Sequence, residues 1–148
     1  MKVSLRRFPG NFNGKECYVQ ARAGALDEQR LVMTIQKLNV EGCVDFFPLS
    51  VLTSADCGKS WSVPREDPVF AADTDEVGRR RVGCDATPFL HKKTNTLVVV
   101  GTDACYEQGA NQPARSYKQT TFYSAYHADT GCFSPIERIV LPDEKHPI

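Results

Sequence analysis

The sequence predicts an all-β protein, on three observations. Short apolar runs of strand length recur between clusters of turn-forming residues. No stretch keeps a helical apolar period for more than about two turns. The phrase Ser54-Ala55-Asp56-Cys57-Gly58-Lys59-Ser60-Trp61 stands between two strand-like stretches and reads Ser-x-Asp-x-Gly-x-x-Trp. An aspartate in a tight turn accepts hydrogen bonds from backbone N–H groups ahead of it, and glycine supplies the positive φ of the reversal. The indole then has an apolar layer to enter. By average residue usage such a match arises by chance in a chain of this size on the order of one time in a thousand, so the phrase is informative about fold. It says little about chemistry, because holding a hairpin together explains every residue in it.

The strands follow in order. Residues 17–26 form a first strand, ended by Asp27-Glu28-Gln29, and residues 31–36 a second, with Leu31, Met33 and Ile35 on one face. After a break at 39–42, residues 46–53 form a third, which the Asp56 turn leads into a fourth around 61–63. Pro64, Pro68 and the charged stretch to Gly83 close this group, with Arg79-Arg80-Arg81 read as a solvated turn. A second group repeats the order. Residues 85–91 are a strand, Lys92-Lys93-Thr94-Asn95 its turn, and residues 97–100 a run apolar on both faces, hence central in its sheet. A polar segment at 107–115 precedes a strand rich in Thr, Tyr and Phe at 116–128. Asp129-Thr130-Gly131-Cys132-Phe133 then turns the chain toward 136–141, like a worn copy of the Asp56 turn with phenylalanine for the indole.

Composition bounds the class. The chain has 148 residues, 41% hydrophobic and 24% charged, which fits one packed domain and excludes a disordered polymer. Lys plus Arg equal Asp plus Glu at 18 each, so the charge balance gives no reason to expect nucleic acid or an anionic membrane as partner. No apolar run has membrane-spanning length, and the basic start is followed by Phe8-Pro9-Gly10-Asn11 in place of the apolar core of an export signal. The six cysteines show no Cys-x-x-Cys spacing and the three histidines are scattered, so neither a metal nor a cofactor is expected. Six cysteines allow fifteen pairings; buried thiols are read ahead of disulfides, and both stay open.

Two successive four-stranded units, each closed by the same kind of turn, resemble adjacent blades of a β-propeller. With the Asp-box phrase Ser54, Asp56, Gly58 and Trp61, the chain is similar to the sialidase-like, BNR-repeat superfamily from about residue 17 to 141. The stretch 84–100 looks like the opening of a second blade, with Asn95 where that group has glycine, a replacement the left-handed region tolerates. The resemblance implies blade one at about 15–70 and blade two at about 84–142 of a six-bladed type. Two blades cannot close a ring, so the expectation is an incomplete propeller, an N-terminal fragment whose last residues lead into a third blade. Association of copies and a sandwich-like stack remain the other solutions. The resemblance also implies a secreted or periplasmic setting.

In such a propeller the start of each inner strand and the loop between second and third strands meet at the channel mouth, opposite the Asp boxes. That placement selects Tyr18, Arg22, Glu41, Asp45, Asp85, Thr87, Asp103, Tyr106, Glu107 and Arg115. Sialidases hold the substrate carboxylate with three arginines and pair a glutamate-activated tyrosine nucleophile with an aspartate acid/base. Here the phrase expected to carry the first arginine is Tyr18-Val19-Gln20-Ala21, with valine in its place, and Leu52-Thr53 stand where an arginine usually precedes the box. Both departures argue against sialidase activity itself. Asp45 is the nearest match to the acid/base aspartate. The resemblance thus implies a glycoside hydrolase relative acting exo-fashion on a glycan, with Asp45 and Asp85 as catalytic candidates and Arg22, Tyr106, Glu107 and Arg115 as substrate-binding ones. The alternative is a non-catalytic propeller module that binds glycan or protein. Set against these, Asp45, Glu107 and Arg115 are also explained as solvated loop residues, and Asp85 as a strand-end acceptor. The partners implied are a carbohydrate ligand and the remaining blades, from a longer chain or from self-association.

Overall fold

The structure is a computed structural model that describes residues 12–41, 45–114 and 120–139. Strands and one short 3-10 turn make up its regular elements, with no α-helix among the described residues. The first sheet is an antiparallel meander of β1 (Glu16–Ala25), β2 (Leu31–Asn39), β3 (Asp45–Ser54) and β4 (Arg65–Glu66), paired in chain order. A connector with the 3-10 turn Pro68–Phe70 leads to the second sheet. That sheet contains β5 (Asp73–Thr74), β6 (Arg80–His91), β7 (Thr96–Tyr106), β8 (Thr121–His127) and β10 (Glu137–Ile139), in the order β10-β8-β7-β6-β5, while β9 (Cys132–Phe133) also pairs with β8. The all-β, antiparallel expectation therefore holds.

Local chemistry accounts for the departures. The strand expected at 61–63 forms its ladder only at β4. Ser62 does lie beside β3, but its hydroxyl accepts the Thr53 N–H at 3.0 Å, and Pro64 has no N–H to give. The run Arg79-Arg80-Arg81, expected as a turn, instead opens β6. The turn precedes it: Asp75 accepts from the Val77 and Arg79 amides at 3.0 and 2.9 Å and from Arg79 Nε at 2.7 Å. Strand position brings Arg81 against Asp73 at 2.7 Å and Arg80 against Asp45 at 2.6 Å, which neutralises the run.

The Asp56 turn forms as its sequence dictates. Asp56 accepts from the Ser60 hydroxyl at 2.6 Å and the Ser60 amide at 2.8 Å, and Ser54 Oγ accepts from the Gly58 amide at 2.9 Å. Gly58 takes φ 78°, and the Trp61 ring lies over the place its Cβ would occupy. The Ser60 side-chain bond, then the Ser60 backbone bond, hold the Asp56 carboxyl down from the usual 3.8 to about 2. In the second unit Gly131 repeats the positive φ and Phe133 is buried, while Asp129 stays exposed.

The main core lies between the sheets. Val32, Leu49 and Val51 meet Ala86, Leu97, Val99, Phe122, Tyr126 and Phe133. Phe70 reaches in from the connector, its ring 4.9 Å from Phe133 and 6.3 Å from Phe122, which anchors the crossing between sheets. Asp67, buried at 4% exposure, caps that turn by accepting the Val69 N–H at 3.1 Å. The sheets approach so closely at Gly24 that a Cβ there would stand 2.8 Å from the Pro88 carbonyl oxygen.

The sequence places Leu31, Met33 and Ile35 on one face of β2, but its other face is the more deeply buried: Val32, Thr34 and Gln36 are wholly inaccessible. The reason lies in β6, which among the described residues has no strand partner on one side beyond Arg81. Polar side chains of the first sheet satisfy that edge. The Gln36 amide donates to the Gly83 carbonyl at 2.9 Å and to the Phe47 carbonyl at 2.8 Å, and the Thr34 hydroxyl donates to the Ala86 carbonyl at 2.6 Å. Arg22 donates to the Asp85 carbonyl at 2.8 Å, and the Asp85 amide donates to Gln20 Oε1 at 3.4 Å. Buried carbonyls left without donors are costly, so two buried polar residues are retained at a sheet interface.

Three measurements check this fold. Thr34→Val keeps the shape and removes the donor to Ala86, so urea unfolding should show a loss of about 1–3 kcal/mol. Phe70→Ala should cost about 3–5 kcal/mol in the same assay. The depressed Asp56 carboxyl contributes stability that is complete above 3.8 and lost as pH falls toward 2, so the urea midpoint should drop across that window, and drop less in Asp56→Asn.

Candidate functional site

The ends of several strands converge on one side of the molecule because each meander starts its first and third strands there and ends its second. Asp45 opens β3, Arg80 opens β6, and Tyr106 closes β7 with Glu107 directly after it. They surround a cleft of about 680 Å³, lined by Asp45, Phe47, Thr74, Arg80, Glu107 and the loop 108–111. Arg80 organises it. One terminal nitrogen pairs with Asp45 at 2.6 Å, the other donates to the Phe46 carbonyl at 3.0 Å, and the guanidinium lies 4.2 Å from the centre of the Tyr106 ring. A planar, multiply bonded guanidinium of this kind is pre-organised in a way lysine would not be.

Tyr106, a substrate-binding candidate by sequence, is fully buried. Its hydroxyl accepts the Phe46 N–H at 3.2 Å, and burial pushes the phenol up to about 12. It forms the floor beneath Arg80 and presents no surface to a ligand. Glu107 is exposed at the rim, 3.8 Å from Arg79, whose closer partner is Asp75 at 2.7 Å.

Arg22 and Asp85 lie elsewhere. Each inner strand carries a bulge: the β1 register shifts between Val19 and Arg22, with Gln20 at φ 56°, and the β6 register shifts between Cys84 and Thr87, with Asp85 at φ 54°. Positive φ at two non-glycine residues is a costly conformation, and a bulge re-aims the side chains beside it. The two bulges face each other. Arg22 pairs with the Asp85 carboxylate at 2.6 Å and donates to the Thr87 hydroxyl at 2.8 Å, and the Arg22 and Asp85 side chains remain 39% and 44% exposed. Arg80 and Asp85 share β6, whose rise of about 3.3 Å per residue sets the two ion pairs roughly 15 Å apart. Two carboxyl groups acting on one glycosidic bond stand about 5–10 Å apart, whereas Asp45, which opens β3 and is held by Arg80, and Asp85, on β6, belong to two separate places.

The remaining candidates disperse. Asp103, expected in a loop, is buried within β7, where it accepts from Thr120 at 2.5 Å and from Arg138 at 2.9 Å. Tyr18 is half-buried in β1, Glu41 is exposed, and Arg115 lies outside the described residues. Burial raises the Cys105 thiol to about 11 and raises Cys84 as well, which removes both as nucleophiles at neutral pH. The described cysteines are free thiols, and no three metal-ligating side chains cluster among the described residues.

Sequence reasoning overlooked Arg80 and Gln20. The signal for Arg80 was present in the triple arginine run, which a strand start turns into three separately paired side chains. No signal marked Gln20, since bulges at non-glycine residues leave no compositional trace. No family model, no curated protein and no solved structure matches the chain. Tyr106→Phe should keep the cation–π floor and lose one hydrogen bond, costing about 1 kcal/mol in urea unfolding.

Proposed function

We propose that the chain forms two blades of a sialidase-like β-propeller and is a carbohydrate-active unit, a relative of glycoside hydrolases without true sialidase activity. The observation that carries this reading is the cleft at which Asp45, Arg80 and Glu107 meet beside the Phe47 ring. A sugar needs acceptors and donors side by side for its hydroxyls and an aromatic surface for its C–H face, and a concave site with few convergent polar groups supplies both. The Asp-box turn, the repeated meander and the facing inner strands support the propeller assignment. It also entails neighbours. Phe89, Tyr123 and Ile139 lie exposed on the face of the second sheet turned away from the first. Further blades, from more chain or from other copies, would cover them.

A non-catalytic glycan-binding role is the second reading. It is favoured by the pairing of both Asp45 and Asp85 with arginines, which suits them to accepting hydrogen bonds from sugar hydroxyls, and by the separation of the two ion pairs. A panel of aryl glycosides and an immobilised glycan array separate the two. Hydrolysis lost in Asp45→Asn or Asp85→Asn would support the enzyme, and glycan retention without turnover would support the binding module. A chain that neither retains nor cleaves any glycan would reject the carbohydrate reading.

A further inference from the structure

The charges at the cleft and at the facing bulges are matched in a way that bears on what kind of sugar fits. Every arginine among the described residues has a carboxylate partner within salt-bridge distance. In the cleft the charged lining is Asp45 and Glu107 against Arg80, and at the bulges Arg22 faces Asp85. An anionic ligand would stand beside an aspartate already 2.6 Å from its arginine and, in the cleft, would also meet the exposed Glu107 carboxylate. A neutral ligand meets no such repulsion. The Oδ2 atoms of Asp45 and Asp85 accept no hydrogen bond from a described residue, since each aspartate spends only Oδ1 on its arginine. One hydroxyl can donate to that oxygen while its neighbour on the ring accepts from a guanidinium N–H.

Resting on the carbohydrate reading above, we infer that the cleft and the bulge site each select neutral sugars presenting vicinal hydroxyls, and that the Asp45–Arg80 and Asp85–Arg22 pairs are the specificity devices that turn acidic sugars away. The aspartates neutralise the arginines, and so decide ligand charge.

The test is an array bearing neutral hexose- and N-acetylhexosamine-terminated glycans beside sialylated, uronate-terminated and sulfated ones, read at low salt, where attraction and repulsion between charges are least screened. The native chain should retain the neutral set in preference by about tenfold or more, since a like charge set against the ligand disfavours it. Asp85→Asn and Asp45→Asn each leave an arginine unmatched and should swing retention toward the acidic set. Asparagine tolerates the backbone of residue 85, and Asp45 has ordinary strand geometry, so one variant checks the other. Preferential retention of acidic glycans by the native chain would overturn the inference and leave the carbohydrate reading standing. Neutral preference with no swing in either variant would overturn the ion pairs as its cause. Absence of any retained glycan would reject both.

Discussion

The fold depends on how the open edge of β6 is satisfied. A strand with a partner on one side only exposes a row of carbonyls and amides, and such a row is stable in an interior only if something else supplies the missing bonds. Here Gln36, Thr34, Arg22 and Gln20 supply them from the first sheet. The two sheets are thus joined by hydrogen bonds that run from side chain to backbone, in addition to the apolar layer of Val32, Leu49 and Leu97. Directional bonds of this kind fix the register of one sheet against the other, which apolar contact alone does not.

That register has a chemical consequence at the bulges. Asp85 takes part both through its backbone, in the edge interaction, and through its carboxylate, which holds Arg22. The half-exposed ion pair is therefore part of the same network that aligns the sheets. Arg80 plays the corresponding role higher on β6, where it joins the Phe46 carbonyl, Asp45 and the Tyr106 ring. Both charged pairs join residues far apart in sequence, and both sit on a strand whose position is set by the first sheet.

Local chemistry was legible in the sequence and long-range pairing was not. The Asp56 turn, the turn at 92–95 with Asn95 at φ 52°, and the antiparallel meanders all rest on bonds within a few residues, and periodicity and turn residues reveal those. Thr34 and Gln36 looked like the solvent face of an alternating strand because nothing near them announces an edge that needs donors. Arg80 looked like one of three solvated charges because Asp45 is remote in sequence. Tyr106 and Asp103 were assigned to a loop because β7 continues well past its apolar run, carried by pairing with β6. The cleft itself was foreseen only as a location, the end where strand starts gather; which side chains line it depended on where β6 begins.

Phe70 sits in the connector, yet its aromatic neighbours, Phe122 and Phe133, are among the last described residues of the second sheet. As the polypeptide emerges from a ribosome, the first sheet and its connector appear long before the rings that must enclose Phe70. Until then that side chain and the buried face of β2 have no companion layer, and closure waits on contacts of large sequence separation, the slow kind. The order of synthesis therefore opposes the order of packing, and the half-made chain spends that interval with its stickiest surface uncovered.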